Sequence, residues 1–146
     1  MSENDSRQGT LIATILASGS VFLSGSVVNV ALPAIGAGLG GDFSDLQWIV
    51  DGYMLTLAAL LILGGSLGDR YGRRRMAVWG LAGFGLTSLA CGLAPSIGWL
   101  IGARLLQGVA GALMVPESLA LLRTVFADPE ERGQAIGSWS GWSGVA

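Results

Sequence analysis

Apolar positions in this chain form long unbroken stretches, not the one-sided stripe of a surface helix or the alternation of a half-buried strand. Four stretches cover about residues 10–35, 46–68, 76–93 and 97–126. A helix needs roughly 20 apolar residues to cross about 30 Å of hydrocarbon, so each stretch is read as one crossing. Polar or turn-forming breaks separate them, at residues 36–45, 69–75, 94–96 and 127–133. Another apolar stretch runs over residues 134–146. As a helix it covers about 19 Å, so a fifth crossing is expected to be incomplete and the natural protein to continue. The expected architecture is all-α and integral to the membrane: four transmembrane helices plus the start of a fifth. Residues 1–9 are polar and are expected to form a short disordered tail. The first stretch is too long for a signal-peptide core, follows no net positive segment and lacks a clean cleavage pattern. It is read as an uncleaved helix.

Composition strengthens the membrane reading and removes several function classes. Charged residues make up 12% of the chain, against roughly 25% in soluble domains. A net charge of −2 provides no basic surface for nucleic acid. All eight positive charges are Arg. With no His, the chain has no His-dependent triad or HExxH zinc site. The single Cys91 excludes an intrachain disulfide. No enzyme, metal site or cofactor is expected. Glycine, at 24 residues, is costly in soluble helices but lets helix backbones approach closely in lipid. The pairs Gly64/Gly68, Gly108/Ala112 and Gly137/Gly141 are read as packing positions.

Arginine placement sets the expected orientation. Arg70, Arg73, Arg74, Arg75 and Arg132 lie in the breaks after the second and fourth stretches, with Arg123 just inside; the other two breaks hold none. Positive charge favours the cytoplasmic side, which puts the N-terminus there. Trp48 and Trp99 then fall at outer helix ends, and Trp79, Trp139 and Trp142 near the inner side.

The most informative segment is Gly65-Ser-Leu-Gly-Asp-Arg-Tyr-Gly-Arg-Arg-Arg75. Gly65 and Gly68 permit close packing at a helix end, Asp69 sits where that helix stops, and Gly72 allows a tight turn. Arg70, Arg73 and Arg74 reach anionic headgroups or the negative end of a neighbouring helix. This segment resembles the signature between helices two and three of the major facilitator superfamily. The stretch Leu23-Ser-Gly-Ser-Val-Val-Asn-Val-Ala-Leu-Pro33, together with Trp48-Ile-Val-Asp-Gly-Tyr53, Arg104-Leu-Leu-Gln-Gly-Val-Ala-Gly-Ala112 and Glu131-Arg-Gly-Gln-Ala-Ile-Gly137, resembles the fourteen-helix drug:proton antiporters of that superfamily. The resemblance implies the N-terminal bundle of a major facilitator fold in a bacterial inner membrane. It implies export of small hydrophobic or cationic drugs, driven by a proton gradient, in concert with C-terminal helices this chain lacks. Uptake by symport or uniport, and a non-transporting membrane fragment, remain as alternatives. The family's helix-one Asp is replaced by Ser24, and the family's Gly-Pro signature of helix five is absent.

Ionisable residues within spans are functional candidates because burying charge in lipid is expensive. Asp51, Arg104 and Glu117 are the proton-coupling candidates. Asp51 and Arg104 enter their helices at matching depths, about 8 and 10 Å. They are expected either to face one cavity and interact, or to leave Asp51 facing only the outer vestibule. Glu117 follows Pro116, which is expected to kink its helix. Glu117 is read either as a cation or proton site or as a gate residue pairing with the Arg-rich segment. Arg123 snorkels to the inner interface. Asn29 and Gln107 are weaker candidates for a substrate cavity. So is Tyr53, which with Trp48 also suits an interfacial aromatic belt.

Overall fold

Five helices and almost nothing between them make up the computed structural model, which describes the backbone of residues 3–145. They are α1 (Glu3–Leu39), α2 (Phe43–Tyr71), α3 (Arg73–Gly92), α4 (Ile97–Val125) and α5 (Pro129–Val145). The helices run further into the polar breaks than the hydrophobic pattern implies, and each extension has a local cause.

α1 begins at Glu3, so residues 3–9 are helical where a disordered tail is expected. No proline interrupts them, and Arg7 reaches Glu131 of α5 at 3.4 Å. The expected turn at residues 36–45 shrinks to residues 40–42. Gly40 adopts φ +71° and its N–H bonds Gly36 O at 3.0 Å, a left-handed helix stop that suits glycine. Asp42 and Asp45 then cap α2 reciprocally: each backbone N–H donates to the other's carboxylate, at 2.9 and 3.2 Å. The expected loop at residues 69–75 is reduced to one non-helical residue, Gly72, at φ +100°. Asp69 and Arg70 end α2, and Arg73–Arg75 open α3. The charged segment 127–133 is likewise mostly helix. Asp128 Oδ1 accepts from the N–H groups of Glu130 and Glu131, and Pro129 takes the first helical position.

α4 is the central helix. It packs most extensively against α2 and α3, then α1, while α5 lies mainly on α1. Over half of α4's apolar span is buried, against about a fifth for α1 and α2. Small residues make this possible: a Cβ at Gly64 of α2 would overlap the Ala112 carbonyl oxygen of α4. At Gly137 and Gly141 of α5 nothing lies within 4 Å. The expected packing role of that pair is not realised among the described residues. α4 continues as one helix through Pro116. Val21, Tyr53, Phe84, Ala110 and Met114 form the apolar centre where α1 to α4 meet.

Among the described residues, three helices are long and apolar enough to cross a membrane: Asp5–Leu39, Phe43–Tyr71 and Ile97–Val125. The sequence reading expects four. α3 drops out because its 20 residues open on Arg73–Arg75 and include Gly80, Gly83, Gly85, Thr87, Ser88 and Gly92. The outer faces remain apolar: Val30 and Ile62 are each 85% exposed. Such surface is unfavourable in water and suits lipid or a further apolar partner.

Candidate functional site

A hydrogen-bonded polar cluster built on Arg104 of α4 lies buried among these apolar helices. Arg104 is 1% exposed. Its Nε donates to Ile49 O of α2 at 3.1 Å. Its Nη1 donates to Ser24 Oγ of α1 at 2.8 Å and to Gln107 Oε1 at 2.7 Å. The guanidinium lies over the Tyr53 ring, 4.1 Å from its centroid, a geometry that favours the cation. The Tyr53 hydroxyl donates to Val21 O at 2.7 Å, which fixes the ring. Gln107 Nε2 extends the chain of bonds to Ser88 Oγ of α3 at 2.7 Å. Arg104 thus joins four helices through neutral partners, and its Nη2 has no hydrogen-bond partner among the described residues.

The cluster lies on the wall of a cavity of about 400 Å³. Ser24, Ser88, Cys91, Arg104 and Gln107 supply its polar lining, and the remaining lining is apolar or glycine. The α1–α2 joint lies beyond it, where a Cβ at Gly41 would run into Ile97 at the start of α4. The cavity is therefore near the end of the bundle opposite the arginine-rich turn.

Structure separates the sequence-derived candidates. Arg104 and Gln107, three residues apart on α4, share a face, as that spacing implies, and the structure bonds them to each other. Asp51 does not join them. It is exposed, while Ile49 faces Arg104; two residues amount to about 200° around a helix. The expected Asp51–Arg104 interaction is thus not formed, and matching depth alone did not bring the two together. Asn29 is exposed and bonds Gly25 O of its own helix at 3.0 Å, outside the cavity lining. Tyr53 is 1% exposed, which replaces the interfacial role with one beneath Arg104. Trp48 is half exposed. Arg123 is exposed in the last turn of α4.

A second constellation occupies the other end. Gly68 is buried against Glu117 of α4; a Cβ there would overlap the carboxylate. Gly65 faces Pro116 more loosely, at 3.7 Å from a built Cβ. Asp69 pairs with Arg73 across the turn, both partly exposed. Gly72 N–H bonds Gly68 O at 2.9 Å, Arg70 lies over the Tyr71 ring at 5.9 Å, and Arg74 faces outward. Glu117 is fully buried, and neither carboxylate oxygen has a hydrogen-bond partner among the described residues. The expected direct pairing with an arginine of the turn is therefore absent, although Arg73 attracts the carboxylate and Asp69 repels it.

Sequence reasoning treats Ser24 only as the loss of an acid, yet it is a partner of Arg104. Ser88 lies unmarked within an apolar stretch, and Cys91 is read there only as excluding an intrachain disulfide. Ser88 carried a usable signal, a polar side chain within a span, but no periodicity indicates which face of α3 meets α4.

Comparison with known proteins supplies the family. Residues 14–146 match the Major Facilitator Superfamily. The chain is 45% identical over 134 residues to the puromycin resistance protein pur8 of Streptomyces alboniger, covering 92% of this chain and 27% of that protein. It is 44% identical over 137 residues to the tetracenomycin C resistance and export protein of Streptomyces glaucescens, covering 94% of this chain and 25% of the relative. The multidrug efflux pump LfrA of Mycolicibacterium smegmatis is 44% identical over 120 residues, 82% of this chain and 24% of its own. The chain spans about a quarter of the length of these curated relatives. With a buried arginine cluster under apolar helices and a glycine-hinged arginine turn opposite it, this chain belongs to the Major Facilitator Superfamily.

Proposed function

We propose that the chain is the N-terminal part of a bacterial inner-membrane exporter that moves small hydrophobic or cationic drugs outward in exchange for protons. The observation that carries this reading is the buried Arg104–Ser24–Gln107–Ser88 cluster. It is a fixed cation with neutral partners, set beside a cavity in a chain whose relatives bear drug-resistance and export names. Alternating access needs a second helical bundle to rock against this one. The relatives' greater length supports further helices in the working unit. α3, shorter and less apolar than the other spans, crosses the membrane packed against α4. The N-terminus faces the cytoplasm: Arg7 meets Glu131 beside Arg132, at the end where the arginine-rich turn also lies. No cofactor is needed, because the proton gradient supplies the energy.

The test is accumulation of a fluorescent lipophilic cation in a pump-deficient bacterium expressing the full-length protein. Lower accumulation than in vector controls, restored by a protonophore, is expected. Higher accumulation would establish uptake instead, and no difference would remove transport of this class.

Glu117 is assigned to gating at the cytoplasmic end. Its carboxylate fills the notch at Gly68, the residue before Asp69 of the Asp69–Arg73 pair. Glu117→Gln keeps the shape and removes the charge. It should shift the inward/outward distribution, read by labelling of cysteines placed at the two mouths, while changing drug affinity by less than about threefold, well under 1 kcal/mol. An altered affinity with an unchanged distribution would reassign Glu117 to substrate binding.

A further inference from the structure

We propose that the cavity beside Arg104 binds a monovalent anion: a free halide, or the carboxylate group of an organic acid. Among the described residues lining it, Arg104 is the sole ionised side chain. All its hydrogen-bond partners are neutral: a backbone carbonyl, a hydroxyl and an amide. A guanidinium buried to this degree without an opposing charge is strongly disfavoured, and its Nη2 makes no hydrogen bond among the described residues. The aromatic face of Tyr53 eases the cost but brings no net charge.

The geometry shows how an anion enters. Gln107 Oε1 is a side-chain acceptor on Nη1 that also accepts weakly from Ser24 Oγ at 3.4 Å and Cys91 Sγ at 3.9 Å, while the amide Nε2 donates to Ser88. An anion arriving through the cavity exchanges with Oε1 at Nη1 and then spans Nη1 and Nη2, the paired-donor edge that guanidinium offers to carboxylates. The Ser24 hydroxyl, which donates to the same Oε1 at 3.4 Å, turns to the anion once Oε1 is displaced, and the Ser88 hydroxyl stands on the same wall. A volume of about 400 Å³ admits an anion with some of its water, since one water occupies about 30 Å³ in the liquid. The assignment concerns occupancy of this cavity and does not depend on the direction of transport.

Cys91 lines the same cavity and is partly accessible, so its alkylation reports occupancy. The purified full-length protein in detergent is treated with N-ethylmaleimide over a range of sodium chloride or sodium benzoate, with ionic strength completed by a bulky disulfonate and Cys91→Ser as background. Both anions are expected to slow alkylation several-fold and saturably. Protection by both supports a general anion site; protection by benzoate alone restricts it to organic carboxylates. No protection by either overturns the proposal, and an adventitious salt effect would show as protection that fails to saturate. Ser24→Asp places a carboxylate where Oγ now lies 2.8 Å from Nη1. It should remove the protection by supplying an internal anion, and undiminished protection in that variant would overturn the assignment to Arg104.

Discussion

Replacing Arg104 with lysine or methionine is expected to abolish the drug export proposed for the full-length protein while leaving it folded and membrane-inserted. The guanidinium bonds α1 through Ser24, α2 through Ile49 and α3 indirectly through Gln107 and Ser88. Lysine retains the charge but offers a compact ammonium on a flexible stem, which cannot hold the Nε and Nη1 partners together. Methionine retains apolar bulk and loses every donor. Removing a buried charge that lacks an opposite partner can leave stability unchanged or improved, so the methionine variant should keep a melting temperature within a few degrees of wild type, a shift of order 1 kcal/mol for a chain this size. Charge-assisted hydrogen bonds are worth about 1.5–3 kcal/mol each. If they differ between the inward- and outward-facing states, losing one changes the balance by roughly 10- to 100-fold. Resistance in the pump-deficient strain and proton-driven flux in vesicles provide the measurement. Lysine supporting wild-type flux would show that charge alone suffices and that the four-helix junction is not part of coupling.

Gly108→Val is expected to be the most damaging small substitution in α4, acting on folding and not on chemistry. A Cβ at Gly108 would lie 2.5 Å from Tyr53 O and 3.1 Å from Leu57 N, and would overlap Thr56 Oγ1. Backbone atoms cannot rotate aside, so α2 and α4 must separate. Thr56 Oγ1 also donates across that contact to Leu105 O at 3.0 Å. Overpacking commonly costs about 1–3 kcal/mol, and here it also strains the neighbouring Tyr53 platform. The comparison is Gly102→Ala on the same helix, where nothing lies within 4 Å of the added Cβ. That change should be neutral or stabilising by up to about 1 kcal/mol through helix propensity. Thermal unfolding and membrane yield of the two variants measure the contrast. Equal behaviour would mean that α2 and α4 are not in this close register.

Helix existence was legible because it rests on local composition: apolar stretches near 20 residues long announce themselves without knowledge of neighbours. Helix ends were less legible. Asp42 and Asp45 looked like two acids in a turn, yet their spacing of three is a capping arrangement. The segment at 69–75 looked like a loop because it is charged, although only Gly72 leaves the helical conformation. Within the site, the shared face of Arg104 and Gln107 was readable from a spacing of three on one helix. Asp51 stayed open between the cavity and the outer vestibule, because depth gives a coordinate along the axis and none around it.

The amino-acid sequence by itself determined that this chain is helical and apolar, that one charged glycine turn joins α2 to α3, and that its motifs are those of a major facilitator. Each of these follows from residue type and spacing along a single segment. Only the tertiary structure decided that α4 is central, that Arg104 bonds Ser24 and lies on Tyr53, and that Glu117 stands over Gly68. Nearly featureless apolar helices carry no stripe to orient them. Their rotation is set by where small residues let backbones meet, and that match between two helices is written in neither one alone.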